Sequence, residues 1–211
     1  LTVNVTGGYM REGDTITLVF GDTSHGSNGL KLQTMVETDF EFKFLADVCA
    51  TGHFVPIPNT PTIDIVPGRP DVWRAVLSSL RRPGESFHFG LKAEDSWGNP
   101  TEHAAGSFTF ETTLPVNNLP ATYDYPLGER AVLFEGLSCD QPGELRITVK
   151  DASSGDVVAE SHPMQIRDGD YGAYWGDLHG QSGESIGIGT SHSYFEFARN
   201  KAFLDLTSHQ A

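Results

Sequence analysis

Apolar and polar residues alternate one by one along several short segments of this chain, and this alternation constrains its fold more than any other feature. It is clearest in residues 87–94, where the apolar series Phe87, Phe89, Leu91 and Ala93 alternates with His88, Gly90, Lys92 and Glu94. Successive side chains of a strand point to opposite faces, so such a segment has one buried face and one polar face. The sequence therefore predicts half-buried strands and a chain that is mainly β.

Turn-forming residues separate these segments, in keeping with 23 Gly and 12 Pro in the chain. The predicted strands are residues 15–20, 40–44 and 62–66, then 73–77, 87–94, 107–111, 131–135, 144–149 and 157–161. About seven short strands over roughly ninety-five residues are typical of an immunoglobulin-like (Ig-like) sandwich. The stretch AEDSWGNP, residues 93–100, also resembles a strand and turn of bacterial Ig-like modules.

These patterns divide the chain into tandem β-sandwich modules and a shorter last part. We predict an N-terminal β module in residues 1–70, an Ig-like sandwich in 71–168 and a different kind of domain in 169–211. Residues 114–120, which contain two prolines, could instead be a linker that moves the second boundary.

The last part has the pattern of strand, helix and strand. Residues 174–179 read as a strand, Ser193 and Glu196 have the spacing of a capping box that opens a helix, and residues 203–207 read as a second strand. A unit of this size joins two parallel strands through a crossover helix, so we predict a βαβ unit.

Two histidines follow these predicted strands, His179 at the end of the first and His209 just after the second. Parallel strands joined by a crossover have their carboxyl ends on the same side, where α/β folds place their ligands. Alternation places Asp177 on the face of His179, and the glycine-rich turn that follows brings Gln181 and Glu184 to the same side. Mixed nitrogen and oxygen ligands suit Zn²⁺, Mn²⁺ or Fe²⁺, so we predict a divalent metal site.

At these residues the sequence resembles a known family. GDLHGQSGES, residues 176–185, followed by YFEFARNKAFLDLTSHQ, residues 194–210, resembles the start of a polymerase-and-histidinol-phosphatase (PHP) type metal hydrolase. The resemblance is closer to the bacterial domain of unknown function family 3604, whose members carry β-sandwich segments before such a domain. It implies a distorted α/β barrel with two or three metal ions and the hydrolysis of a phosphate ester or a related anionic ester.

The same resemblance suggests roles for individual residues. His179 matches the first histidine of the first PHP motif, His209 matches the histidine of the second, and Asp177 matches the acid before the first. The expected metal ligands are therefore Asp177, His179 and His209, with Gln181 and Glu184 as candidate catalytic residues beside them. The chain departs from the pattern at Gln181, where the family has a second histidine, and at Ser208, where it has an acid.

A PHP barrel needs several more strands than residues 169–211 contain. We therefore expect the remainder of the barrel to come from the same parent chain, and the chain by itself to be inactive and to hold at most half a metal site. A rival reading is a carbohydrate-binding or adhesion sandwich with a truncated C-terminal appendage, in which Trp73 or Trp97 stacks on sugars.

The charge balance bears on the partners. The chain has 14 basic and 28 acidic residues and a formal net charge of −14, which disfavours nucleic acid and anionic membranes as partners. Its apolar runs are too short for a membrane span. Cys49 and Cys139 form no metal-binding motif, and the sequence leaves open a disulfide or two free, buried thiols.

Overall fold

The computed structural model describes residues 2–210 and shows a mainly β protein, as predicted. The strands and the single helix of the described residues are β1 (Glu37–Glu41), β2 (Leu45–Ala46), β3 (Val55–Pro56), β4 (Thr62–Ile65), β5 (Val72–Leu77), β6 (Leu80–Arg81), β7 (Phe87–Glu94), β8 (Gly106–Thr112), β9 (Thr122–Tyr125), β10 (Val132–Leu137), β11 (Gly143–Leu145), β12 (Ile147–Asp151), β13 (Val157–Glu160), β14 (Met164–Ile166), β15 (Gly176–Gly180), α1 (Ser191–Asn200) and β16 (Leu206–His209).

Residues 1–34 are one compact unit, and the described part of it, residues 2–34, contains neither helix nor strand. The predicted strand at residues 15–20 is therefore wrong. Preference for β structure reflects how well side chains fit a half-buried sheet surface, and here Ile16 and Leu18 are exposed.

Residues 35–211 are the second unit, and it begins with two small antiparallel sheets. Strand β1 pairs with β4, and β2 pairs with β3. The predicted strand at residues 62–66 is confirmed as β4, whereas the one at residues 40–44 lies mostly past the end of β1.

The main core lies between two antiparallel sheets, one ordered β10-β7-β5 and the other β13-β12-β8-β9. Phe89 of the first sheet contacts Phe110 of the second, ring edge to ring face, at 5.8 Å between centroids. The predicted apolar face of β7 belongs to this core, where Phe89, Leu91 and Ala93 are fully buried. A third sheet, β11-β14-β6, contains the parallel pair β14 and β6.

The strand prediction was less complete for the strands that follow β8. The predicted strand at residues 144–149 is two strands, β11 and β12, which belong to different sheets and meet at Arg146. Strands β9 and β14 were not predicted. In residues 114–120, the possible linker, Leu114, Val116 and Leu119 pack against the core.

The turn in the AEDSWGNP stretch is built around the buried carboxylate of Asp95. It accepts hydrogen bonds from the backbone N–H groups of Gly68, Trp97 and Asn99. Burial acts to raise the pKa of Asp95, but these hydrogen bonds and that of the Asn99 side chain lower it to about 2.

Both cysteines are free thiols: Cys139 is buried, as one interpretation predicted, whereas Cys49 is exposed.

The polar face of β7 is covered by the C-terminal part of the chain. The ring of Phe203, the residue before Leu204 and β16, lies on Gly90, where a Cβ atom would come within 2.3 Å of the ring. His88 Nε2 lies 3.1 Å from the carbonyl oxygen of Phe203, and Lys92 Nζ lies 5.6 Å from its ring centroid. The alternation therefore correctly predicted which residues form the polar face of β7. It did not predict that C-terminal residues cover this face.

A buried ion pair joins β6 to the C-terminal segment that contains β15 and β16. Arg81 Nη2 donates to Asp205 Oδ1 at 2.6 Å, and the two side chains are only 4% and 8% exposed. Arg81 Nη1 also donates to the carbonyl oxygens of Leu80 and Ala173, while Asp205 Oδ2 accepts the N–H of Trp175. One carboxylate thus joins the start of β15, the start of β16 and the arginine of β6.

We predict that Arg81→Met lowers the free energy of unfolding by about 3 kcal/mol, because it leaves the buried carboxylate of Asp205 without its counter-charge. Equilibrium urea unfolding measures the loss. Arg74→Met is the matched control, since the pair of Arg74 with Glu94 is largely exposed on the arginine side and should contribute less than about 1 kcal/mol. Equal losses in the two variants would contradict the assignment.

Candidate metal site at the carboxyl ends of two parallel strands

Strands β15 and β16 are parallel, as the pattern of strand, helix and strand predicted. Gly176 is paired with Leu206 and Gly180 with His209, and helix α1 lies between the strands in the chain. The predicted segments are shifted by two or three residues, because the structure begins β15 at Gly176 and β16 at Leu206. His179 and His209 accordingly lie at the carboxyl ends of neighbouring strands.

Helix α1 begins earlier than its predicted capping box. The N-cap is Thr190, whose hydroxyl accepts the N–H of Ser193, while the Ser193 hydroxyl accepts the N–H of Thr190. The predicted pairing of Ser193 with Glu196 is therefore wrong: Glu196 carries its carboxylate on the exposed surface, 3.5 Å from His192. The helix therefore still begins with a reciprocal capping box, but the box pairs Thr190 with Ser193 and starts three residues before the predicted one.

Tyr194 attaches the helix to both strands. Its hydroxyl contacts the Thr207 hydroxyl, donates to Asp177 Oδ2 at 3.3 Å and lies 3.3 Å from the carbonyl oxygen of Ser208. The ring approaches the backbone of Gly180 so closely that a Cβ atom there would lie 2.0 Å from the tyrosine oxygen. The sequence pattern gives no sign of the bonds of Tyr194 to both strands.

Asp177 and His179 differ in their surroundings. Asp177 is half-buried, and its Oδ1 accepts the N–H of His179 at 2.8 Å. The His179 side chain is exposed, and its ring has no hydrogen-bond partner among residues 2–210. The register of the strand pair is irregular between Asp177 and Gly180, so strict alternation, from which a common face was predicted, does not hold at this point.

The two candidate catalytic residues lie in the loop after β15, and both are held by serines. Gln181 Oε1 accepts the Ser185 hydroxyl at 2.6 Å, and Glu184 Oε1 accepts the Ser191 hydroxyl at 2.9 Å. Gln181 is half-buried and Glu184 is exposed. The loop is closed by Gly183, whose N–H donates to the carbonyl oxygen of Gly189 at 2.8 Å.

His209 is held by a residue that the sequence analysis did not single out. Its Nε2 lies 2.8 Å from the hydroxyl oxygen of Ser182, which is fully buried. The rings of Tyr194 and Phe195 flank the imidazole at 6.0 and 6.3 Å between centroids. A serine between glutamine and glycine carries no signal by itself, so its role emerges only from the folded loop.

The donors present suit a divalent cation, since they are imidazole nitrogens and carboxylate oxygens. In the described part of the chain, however, no three His, Cys, Asp or Glu side chains are grouped closely enough to hold a metal ion. The strand ends are adjacent, but a shared ion on Asp177, His179 and His209 stays a prediction. These residues could supply part of a coordination sphere.

The two tryptophans proposed as a sugar-binding surface lie outside this site. Trp73 is partly buried and packs against the main core, with its ring edge-on to Phe108 and Tyr125 at 4.8 and 4.9 Å between centroids. Trp97 is 60% exposed at its turn.

Among residues 2–210, no helix is long and apolar enough to cross a membrane.

Comparison with known proteins identifies no relative: no family model matches the chain, and no curated protein matches it.

We predict that Gly180→Ala destabilises the protein by about 2 kcal/mol, because the added methyl group displaces Tyr194 from both strands. Thermal and urea unfolding measure the effect. Gly169→Ala is the matched control: a Cβ atom there meets nothing within 4 Å, so its stability should change by less than about 0.5 kcal/mol. A Gly180→Ala variant as stable as the control would show that the Tyr194 contact is not tight.

Proposed function

We propose that this chain is the amino-terminal part of a metal-dependent hydrolase of the PHP type, with Ig-like β modules before the catalytic barrel. The observation that carries the proposal is the parallel pairing of β15 and β16, which brings the strand ends with His179 and His209 side by side. The resemblance of residues 176–185 and 194–210 to the PHP motifs supports it. The two facing sheets of the main core support the Ig-like assignment.

The uncovered face of the strand pair supports a larger barrel. Asp177 and Thr207 contact Tyr194 of α1, whereas Leu178 and Leu206 of the same two strands are 66% and 47% exposed. Parallel sheets occur almost only with both faces covered. We infer that further strands and helices of the same parent chain cover this face and bring the missing metal ligands.

Each residue of the site has a part in this proposal. His179 and His209 bind the ion, Asp177 binds it or orients its neighbours, and Gln181 and Glu184 contact the substrate or its attacking water. A bound divalent ion lowers the pKa of a coordinated water to about 7 and stabilises the charge of an anionic transition state. The net negative charge of the chain does not prevent this, because the local charge of an ion dominates small-anion binding.

The Arg81–Asp205 pair supports a positioning role for the sandwich. The ion pair joins β6 to the starts of β15 and β16, and the ring of Phe203 lies against Gly90 of β7. Strands β6 and β7 therefore contact the strand pair at the end opposite to the two histidines.

The rival function, a carbohydrate-binding sandwich, has one observation in its favour. Trp97 presents an exposed ring at the turn after β7, whereas Trp73 is part of the core. A glycan array probed with wild type and Trp97→Ala would favour the rival if binding were lost in the variant and did not depend on metal.

The test of the proposal measures phosphatase activity, with para-nitrophenyl phosphate as substrate, and bound metal by elemental analysis. We expect no turnover and no tight stoichiometric metal for residues 1–211, but both for a longer parent chain. His209→Ala in the parent should lower activity by about a hundredfold or more, and His192→Ala, an exposed histidine of α1, is the control. Tight metal and turnover in residues 1–211, or a metal-free parent, would contradict the proposal.

A further inference from the structure

A cavity beside the sandwich is lined by an arginine and a histidine. Its volume is about 520 Å³, and its lining residues are Arg69, Pro70 and His103. Arg69 and Pro70 lie in the loop between β4 and β5, and His103 lies in the loop between β7 and β8. Cavities that bind small molecules usually enclose about 300–1,000 Å³, so this one is large enough for such a ligand.

The guanidinium of Arg69 is exposed and has no ion-pair or hydrogen-bond partner among residues 2–210. Such an arginine stands out in a chain with 28 acidic and only 14 basic residues. Because carboxylates are in excess, most arginines of the described part pair with one: Arg74, Arg81, Arg130, Arg146 and Arg199. The guanidinium of Arg69 is therefore available to a ligand from solution.

The carboxylates of the loop between β7 and β8 are already bound to other groups. Asp95 is buried and accepts the backbone N–H groups of its own turn. Glu102, the neighbour of His103, accepts two hydrogen bonds from Arg130, at 2.6 and 3.2 Å. Neither carboxylate therefore neutralises the arginine of the cavity.

Hydrogen bonds hold the two loops in a fixed relation to each other. The N–H of Gly68 donates to Asp95 Oδ2 at 2.8 Å, and the carbonyl oxygen of Gly68 accepts the Thr101 hydroxyl at 2.7 Å. The hydroxyl oxygen of Thr101 accepts the N–H of His103 at 3.3 Å. The backbone next to Arg69 and at His103 is thus fixed before a ligand binds, which lowers the entropic cost of binding.

We propose that this cavity binds a compact oxyanion, the phosphate or carboxylate group of a small molecule. The guanidinium of Arg69 presents paired N–H donors, which match two oxygens of such a group. The ring of His103 adds a further N–H donor. None of the lining residues belongs to the strand ends of β15 and β16, so the proposal does not rest on the proposed metal-dependent activity.

Isothermal titration calorimetry with inorganic phosphate, and separately with acetate, tests the proposal. We would titrate the full parent chain with EDTA present, so that no ion at the proposed metal site contributes, and with sodium chloride to keep the ionic strength constant. We expect saturable binding of at least one of the two anions. Tighter phosphate would identify a phosphate group as the ligand, and tighter acetate would identify a carboxylate.

The variants assign the binding to the cavity. Arg69→Gln should weaken it by about tenfold or more, because the charged fork is lost. Arg69→Lys, which keeps the charge without the fork, should be intermediate, and His103→Ala should cost about threefold. Arg167→Gln is the matched control, since Arg167 is exposed after β14 and does not line the cavity, so its anion binding should equal that of wild type.

Thermal unfolding checks that each variant is folded, and the two arginine variants should match wild type because both side chains are exposed. No saturable binding of either anion to the wild type would overturn the proposal. Equal losses in Arg69→Gln and Arg167→Gln would also overturn it, because the binding would then depend on the overall charge of the chain.

Discussion

The buried contact between Arg81 and Asp205 is the interaction on which the C-terminal part of this structure depends. A charge removed from water is tolerated only with a counter-charge and hydrogen bonds, and here they join β6 to the residues just before β15 and β16. The guanidinium binds the carbonyl oxygen of Ala173, and the carboxylate binds the N–H of Trp175. The Arg81–Asp205 pair and the contact of Phe203 with Gly90 together hold strands β15 and β16 against β6 and β7.

The mainly β character and several strands could be predicted from the sequence, because alternation is a local property. The series from Phe87 to Ala93 identified a strand and its buried face without knowledge of its neighbours. The cover of the opposite face could not be predicted, since Gly90 and the ring that lies on it are more than one hundred residues apart. Phe203 itself was predicted to begin the last strand, whereas its φ of 59° places it in a left-handed turn before that strand.

The candidate site shows the same division between local and distant information. Crossover length and chain direction predicted that β15 and β16 are parallel, so the adjacent ends with His179 and His209 could be foreseen. The irregular register after Asp177 could not be foreseen, because local alternation assumes a regular strand pair. Nor could the contact of Ser182 with His209, which exists only when the loop after β15 folds back over the end of β16.

The central claim is that the two histidines at the strand ends bind one ion together, and a double-mutant cycle tests it most directly. Zn²⁺ binding to the longer parent chain would be measured by calorimetry for wild type, His179→Ala, His209→Ala and the double variant. A shared ion predicts that each single substitution weakens binding by about tenfold or more and that the double substitution adds almost nothing. Losses that simply add, or no loss in either single variant, would show that the two rings do not share an ion.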